Sequence, residues 1–220
     1  MLSLQMFDLI GKGILETLYM VIVSTVIAYG LGIPFGILLC VTDENWVFRM
    51  PVVHKVLGFI INFIRSVPFI ILLVAIMPFT RAVLGTTIGS TATIVPLVVS
   101  ATPFVARMVE SSLKEVDSGV IEAAQSMGCR PIQIIYKVLL PEARPSLLIG
   151  AAITITAILG YSAMAGFVGG GGLGAIAINY GYYRYQEGVM FITVILLVII
   201  VQLFQEIGMK VAKVSDKRIK

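Results

Sequence analysis

The sequence predicts an all-α membrane protein with five transmembrane helices and one polar, helix-forming loop. Of the 220 residues, 58% are hydrophobic and 13% are charged, whereas about 25% charged residues is usual for a soluble domain. Several long apolar segments are present, and about 20 apolar residues are needed to cross the hydrocarbon core of a bilayer. These segments leave no room for a separate soluble domain, so we expect residues 1–220 to form a single transmembrane domain.

Five segments have the length and the lack of charge that membrane spans require. They cover about 14–41, 57–77, 88–108, 147–168 and 189–209. In the first span, Gly32 and Gly36 have the spacing of small residues at a helix–helix contact. Pro68 interrupts the second span, and Pro96 and Pro103 interrupt the third. Prolines free backbone carbonyls for other partners. Ordinary helix packing is one interpretation of each of these residues, and two prolines seven residues apart in the third span also suit a water-accessible path beside it.

The distribution of basic residues predicts the orientation in the membrane. With the N-terminus outside, the inside segments contain twelve basic residues and the outside segments contain three. Basic residues are enriched on the cytoplasmic side, so we expect the C-terminus and the loop after the third span to be cytoplasmic. The charges are spread between spans and form no nucleic-acid surface. The inside residues are Arg49, Lys55, Arg107, Lys114, Arg130, Lys137, Arg144, Lys210, Lys213, Lys217, Arg218 and Lys220, and the outside residues are Lys12, Arg81 and Arg184.

The loop between the third and fourth spans, residues 117–141, has the pattern of two short helices. Asp117 or Ser118 is suited to the first N-terminus, and Gly128 suits a left-handed helix end. A proline at position 131 suits the first turn of the second helix, which we expect to end at Pro141. One face of the first helix carries apolar residues at helical spacing, namely Val120, Ala123, Ala124 and Met127.

The residue types in the first of these helices favour contact with another protein. Two adjacent alanines permit close approach to a groove, and Glu122 offers a carboxylate for a charged hydrogen bond. The alternative is an interfacial helix lying on the cytoplasmic leaflet. Such a helix usually has large apolar anchors and a strongly basic polar face, whereas the apolar residues here are mostly Ala and Val.

The loop also resembles a known coupling element. The segment Glu122-Ala123-Ala124, with Gly128 and then Val138-Leu139-Leu140-Pro141 after nine residues, resembles the cytoplasmic coupling loop in membrane subunits of binding-protein-dependent ABC importers. Val138 stands where that pattern usually has Ile. The resemblance implies that this helix docks into a cleft of an ATP-hydrolysing subunit and transmits its closure to the spans. The implied contact residues are Glu122, Ala123, Ala124, Gly128, Leu140 and Pro141.

Other segments resemble a narrower family, the permease subunits of bacterial methionine ABC importers. They are 65–73, 78–81 with 85–89, 106–110, and 160–164 with 169–174. The resemblance implies a type I importer permease fold in the bacterial inner membrane, translocating L- and D-methionine into the cytoplasm. It also implies a non-catalytic chain that binds no cofactor, with ATP and Mg used by the partner ATPase. The implied partners are a second copy, two ATP-binding subunits, an extracytoplasmic methionine-binding lipoprotein and membrane lipid.

Three other functions are alternatives. An ABC permease for another amino acid would have the same loop, whereas a self-sufficient channel or secondary transporter has no reason to keep it. An intramembrane hydrolase needs a nucleophile with a base in reach, but the single histidine, His54, falls in a predicted cytoplasmic loop.

Cys40 and Cys129 are too far apart in the predicted topology to suggest a disulfide or a metal site.

Five residues are candidates for the substrate pathway or its gate. Arg65 lies inside the second span, near Pro68, where a charge is a functional candidate unless it extends to the interface. Tyr161, Ser162 and Met164 lie near the outer end of the fourth span, where a thioether and an aromatic ring suit an apolar amino-acid side chain; ordinary packing is the alternative.

The glycine-rich run 166–174 is predicted to be a flexible outer loop.

Overall fold

The computed structural model describes residues 4–43, 46 and 50–216, and across this part of the chain all regular structure is helical. Four basic residues of the orientation argument, Arg49, Lys217, Arg218 and Lys220, lie outside the described residues. The α-helices are α1 Leu4–Val41, α2 Pro51–Ser66, α3 Phe69–Ala75, α4 Met77–Leu84, α5 Ser90–Lys114, α6 Ser118–Ser126, α7 Pro131–Ile134, α8 Leu140–Glu142, α9 Arg144–Ala165, α10 Gly172–Ile176 and α11 Glu187–Ser215.

The centre of the bundle is the contact between α1 and α5, the most extensive between any two helices described. It forms because two glycines of α1 have no side chain to separate the backbones. A Cβ at Gly32 would come within 2.6 Å of Val105, and one at Gly36 within 2.6 Å of the Ala106 carbonyl oxygen. The predicted small-residue contact is therefore present, and it joins the first span to the third.

The α5 helix is continuous through both of its prolines, contrary to the interruption we predicted. Pro96 and Pro103 are buried inside Ser90–Lys114. The prolines leave the carbonyls of Ala92 and Val99 without an intrahelical amide, and the Thr102 hydroxyl makes a separate bond to the Val98 carbonyl at 2.8 Å. Beside Pro96 the structure leaves a cavity of about 10 Å³, roughly the space of one water. That cavity is too small to serve as a path.

The predicted second span is sharply broken. Helices α2 and α3 meet at an angle of 102°, because Val67 is extended, with φ −82° and ψ 125°, and Pro68 has no amide hydrogen to continue the helix. Among the described residues, four helical segments are long and apolar enough to cross a membrane, and the number is five if α2 and α3 count as one span.

The glycine-rich segment 166–174 is closely packed against its neighbours. A Cβ at Gly166 would lie 2.5 Å from the Gly174 carbonyl carbon, and a Cβ at Gly174 would lie 2.5 Å from the Ala163 Cα. The segment is tied to α1 by the amide of Gly172, which donates to the Glu16 carboxylate at 2.6 Å. We predicted a flexible loop, but these glycines allow backbones to approach one another.

Candidate functional site

Helix α6 follows α5 almost directly and lies at one end of the bundle, which we call the α6 end. Its first turn is fixed by Asp117, whose carboxylate accepts a hydrogen bond from the Gly119 amide at 2.7 Å. A capping carboxylate satisfies one of the free amides at a helix N-terminus and is favourable beside the positive end of the helix dipole. Of the two candidate caps predicted, the structure uses Asp117.

The end of α6 is as firmly defined as its start. Gly128 has a φ of +76°, and its amide donates to the Gln125 carbonyl at 2.9 Å, while the Cys129 amide donates to the Ala124 carbonyl at 3.1 Å. These two bonds are the Schellman arrangement that a left-handed residue permits at a helix C-terminus. The prediction of a left-handed stop at Gly128 is confirmed.

The faces of α6 differ from the predicted division. Ile121 and Ala124 are buried in the core of the chain, with Ala124 only 3% exposed. Glu122, Ala123 and Met127 are exposed, and the Met127 side chain is 76% exposed. Ala124 therefore attaches α6 to its own bundle in this conformation, and Glu122, Ala123 and Met127 form the surface open to a partner.

The second part of the loop runs further than predicted. After α7 come a wide helical turn, residues 135–139, and α8, which passes through Pro141 and ends at Glu142; α9 starts two residues later. Pro141 does not end the helix because it occupies the first turn of α8, where no amide hydrogen is needed. Leu140 is half-buried and Pro141 is exposed. Both line a cavity of about 430 Å³ that extends to Ser215 at the end of α11.

A buried charge cluster at the α6 end was not predicted as a site. Glu110 is only 5% exposed and accepts bonds from Arg107 at 2.6 Å and Lys114 at 2.9 Å. The sequence signal is the spacing of three charges, at i, i+3 and i+7 in α5, just beyond the apolar segment.

This cluster contains the ligand types of a metal site. Oxygen or nitrogen atoms of Asp43, His54 and Glu110 lie within 4.8 Å of one another. The Lys114 ammonium already binds two of the three, Asp43 at 2.6 Å and Glu110 at 2.9 Å. Because the protein's own cation occupies that position, the cluster is better described as an ion-pair network.

The predicted pathway residues of α9 have different environments. Ser162 is 2% exposed and its hydroxyl donates to the Leu159 carbonyl at 2.8 Å. Tyr161 stacks on Phe69, with ring centres 4.7 Å apart, and Met164 is exposed. The stack brings Tyr161 beside the broken second span, while Ser162 is packed inside the chain in this conformation. Their role in the pathway stays a prediction.

Arg65 occupies the last turn of α2, where a cation is favourable near the negative end of the helix dipole. Its side chain is exposed, and the guanidinium lies 5.9 Å from the centre of the Phe104 ring, within the range of a cation–π contact. Pro68, three residues later, is exposed at the bend. Both residues thus mark the break between α2 and α3.

The fold and the site define a class: a polytopic helical membrane protein that presents a firmly capped helix at one end of its bundle. A model of one family matches residues 32–220, which is most of the chain. The chain belongs to that family, the binding-protein-dependent transport system inner membrane components. The family expected from the coupling-loop pattern is therefore confirmed.

Two curated relatives are similar over most of their length. The probable D-methionine transport system permease protein MetI of Vibrio cholerae serotype O1 is 48% identical over 211 residues, covering 96% of this chain and 94% of the relative. The D-methionine transport system permease protein MetI of Escherichia coli K12 is 48% identical over 165 residues, covering 75% of this chain and 76% of the relative.

Solved structures give the same picture of the fold. One chain from a native crystal form of an inward-facing MetNI methionine ABC transporter matches with a TM-score of 0.96 and 46% identity, covering 98% of this chain and all of that one. A chain of an amino acid ABC transporter with histidines matches with a TM-score of 0.71 at 21% identity, covering 98% of this chain and 96% of that one. The second match supports the fold alone.

Proposed function

We propose that this chain is the transmembrane permease subunit of an ATP-driven importer that translocates methionine, in its L and D forms, into the bacterial cytoplasm. The observation that carries this proposal is the likeness to a MetNI chain, at 46% identity and a TM-score of 0.96 over nearly the whole length. The 48% identity to relatives named as D-methionine permeases supports the same substrate.

We infer that the exposed face of α6 is the contact with the ATPase. Glu122 offers a charged hydrogen-bond acceptor, Ala123 lets a groove approach closely, and the Asp117 cap and Gly128 turn keep the helix rigid while it is pushed. Leu140 and Pro141 line the adjacent cavity. An interfacial helix is the weaker alternative, because this face has no strongly basic side.

The assembly follows from the same reasoning. We propose two copies of this chain, two ATP-binding subunits that use ATP and Mg, and an extracytoplasmic methionine-binding lipoprotein that delivers substrate. The orientation has the N-terminus outside and the α6 end in the cytoplasm, in accordance with the positive-inside rule. In this arrangement the chain itself performs no chemistry and binds no cofactor.

The substrate pathway is proposed to run past the broken second span. Tyr161, Arg65 and Pro68 lie at or near that break, and we propose that the exposed Met164, one turn after Tyr161 in α9, also belongs to the path. Ser162 belongs to the path only in a conformation that frees its hydroxyl from Leu159. We expect the pathway to be completed by the second copy, because one such bundle cannot enclose a polar path by itself.

The experiment that tests this function is uptake by proteoliposomes containing this chain, its ATPase subunits and its binding protein. We expect ATP-dependent uptake of labelled L- and D-methionine in preference to a panel of other amino acids. Preference for an acidic or basic amino acid would instead identify the chain as a permease for a different substrate. Uptake by this chain alone, without the ATPase, would identify a channel or secondary transporter.

The coupling contact is tested by Glu122→Ala. Losing a charged hydrogen bond at an interface costs enough to weaken binding about tenfold or more, so we expect uptake to fall by that order while the chain still inserts and folds. The control is Glu206→Ala, which removes an exposed acid from α11 whose pair with Lys210 is 3.6 Å long. Normal uptake by the Glu122 variant would show that the contact lies elsewhere.

A further inference from the structure

We propose that Glu110 is a positioning residue that holds α1, α2 and α5 together at the α6 end, so that a displacement of α6 moves the three helices as one unit. The inference rests on the proposed function, since it concerns how movement of α6 reaches the spans. Glu110 acts through two neighbouring cations, Arg107 and Lys114, each of which extends to a different helix.

The first cation joins α5 to α2. Arg107 donates to Glu110 at 2.6 Å through one guanidinium nitrogen, and through the other to the Asn62 side chain at 3.0 Å and the Gly58 carbonyl at 3.3 Å. Both acceptors belong to α2, one turn apart. The fork of the guanidinium is rigid and planar, so its orientation toward α2 is fixed by the carboxylate on α5.

The second cation joins α5 to the end of α1. Lys114 donates to Glu110 at 2.9 Å and to Asp43 at 2.6 Å. Asp43 follows α1 by two residues. A separate bond between His54 Nδ1 and the Leu39 carbonyl, 3.0 Å long, links α2 to α1 directly. The three helices are thus joined in every pairing within a short distance of Glu110.

Because Glu110 is buried, the links to α1 and α2 depend on its charge. A buried carboxylate is tolerated only when cations and hydrogen bonds compensate it, and here both of its oxygens are used. Removing its charge leaves two cations close together without their shared acceptor. Each cation is then free to move toward solvent, and the contacts with α1 and α2 are weakened together.

The network lies directly before α6 in the chain. Lys114 is the last residue of α5, and Asp117, three residues later, caps α6. Along the backbone, a displacement of α6 therefore reaches Lys114 within a few residues. From there the links lead to the end of α1 and to α2, whose other end is the bend at Pro68.

The test uses the complete transporter and compares Glu110→Gln with Glu110→Asp. Spin labels at Val53 in α2 and Val120 in α6, two exposed positions, report the distance between the helices without and with trapped nucleotide. Cys129 is replaced by Ser, and Cys40 is retained because it is buried. The second readout is methionine imported per ATP hydrolysed. The matched control is Asp8→Asn, which breaks an exposed ion pair in α1.

We expect Glu110→Gln to broaden the distance distribution and lower methionine imported per ATP about fivefold, a change typical of residues that couple sites. Glu110→Asp should restore much of both, and Asp8→Asn should change neither. If Glu110→Gln does not accumulate, Asp43→Asn and Asn62→Ala, which each remove one link, take its place with smaller effects expected.

The outcomes separate this inference from the proposed function. Unchanged distances and an unchanged transport ratio in the variants, with a wild type that imports methionine, would overturn the positioning role alone. A wild type that fails to import methionine would overturn the proposed function, and the distance measurement would still decide whether α2 and α6 move together.

Discussion

Gly128 and Gly85 have the same positive φ in different parts of the chain. Both follow a helix with φ +76°, and an added Cβ would meet nothing within 4 Å at either position. We expect Gly128→Ala and Gly85→Ala to lower the free energy of unfolding equally, by about 1 kcal/mol, because each forces a side chain into the left-handed region. Denaturation of the purified variants measures this.

The pair also separates stability from coupling. We expect Gly128→Ala to reduce uptake per ATP hydrolysed, because it changes the turn that ends α6, whereas Gly85→Ala should leave that ratio unchanged. Equal loss of the ratio in both variants would mean that general destabilisation, and not the end of α6, causes the effect.

At the level of single residues, the sequence predicted local features better than faces. The cap at Asp117 and the turn at Gly128 depend on neighbours within four residues, so both could be predicted. Which residues of α6 face the core could not be predicted. Val120, Ala123, Ala124 and Met127 form an apolar face by spacing, but spacing does not say whether that face packs on the chain itself or on a partner. Tertiary packing chose Ile121 and Ala124 instead.

The contact between α1 and α5 gives a prediction about whole elements. In Gly36→Ala the new methyl group would lie 2.6 Å from the Ala106 carbonyl oxygen, and backbone cannot rotate away as a side chain can. We expect the helices to separate and the free energy of unfolding to fall by about 1–3 kcal/mol, the usual cost of overpacking. Thermal unfolding in detergent measures the change.

The control for this variant is Gly30→Ala, in the same helix. Nothing lies within 4 Å of a Cβ at Gly30, so the substitution should raise the free energy of unfolding by about 0.5–1 kcal/mol, as expected for replacing a helical glycine. Stabilisation by both variants would contradict a close α1–α5 contact.

At the level of helices, the length of the apolar segments predicted the membrane spans, and the all-helical fold is confirmed. The family predicted from the loop pattern is also confirmed. The prolines were harder to interpret, because their effect depends on the surroundings. Pro68 follows α2 where the preceding residue is extended, whereas Pro103 is buried inside a continuous α5. The same residue type therefore breaks one helix and leaves the other continuous.

For the whole molecule, we predict unequal rates of amide hydrogen exchange. About half of the residues of α5 are buried, whereas α2 buries Gly58 and Ile61. Regions with few buried contacts open more easily, so α5 amides should exchange most slowly and those of α2 to α4 faster. Mass spectrometry of the chain in detergent measures this. Uniform rates along the chain would contradict a bundle organised around α5.

The charge network depends on contacts between helices that are distant in the sequence. Arg107, Glu110 and Lys114 are neighbours by helical spacing, but Asp43 and Asn62 reach them only through the packing of α1 and α2 against α5. No local pattern links residues so far apart in the chain. The coupling residues stay predictions for the experiments above, and the terminal orientation and the pathway residues stay predictions as well.

The break at Val67 and Pro68 has a mechanical consequence. The helical hydrogen bonds are interrupted there, and α2 and α3 meet at a sharp bend. A tilt of α2 can therefore leave the position of α3 unchanged, since α3 packs on Tyr161 of α9 through Phe69. In the transporter we propose, this independence would let the region around α2 move while the packing of α3 on α9 is kept. A continuous helix at this position would join the two movements.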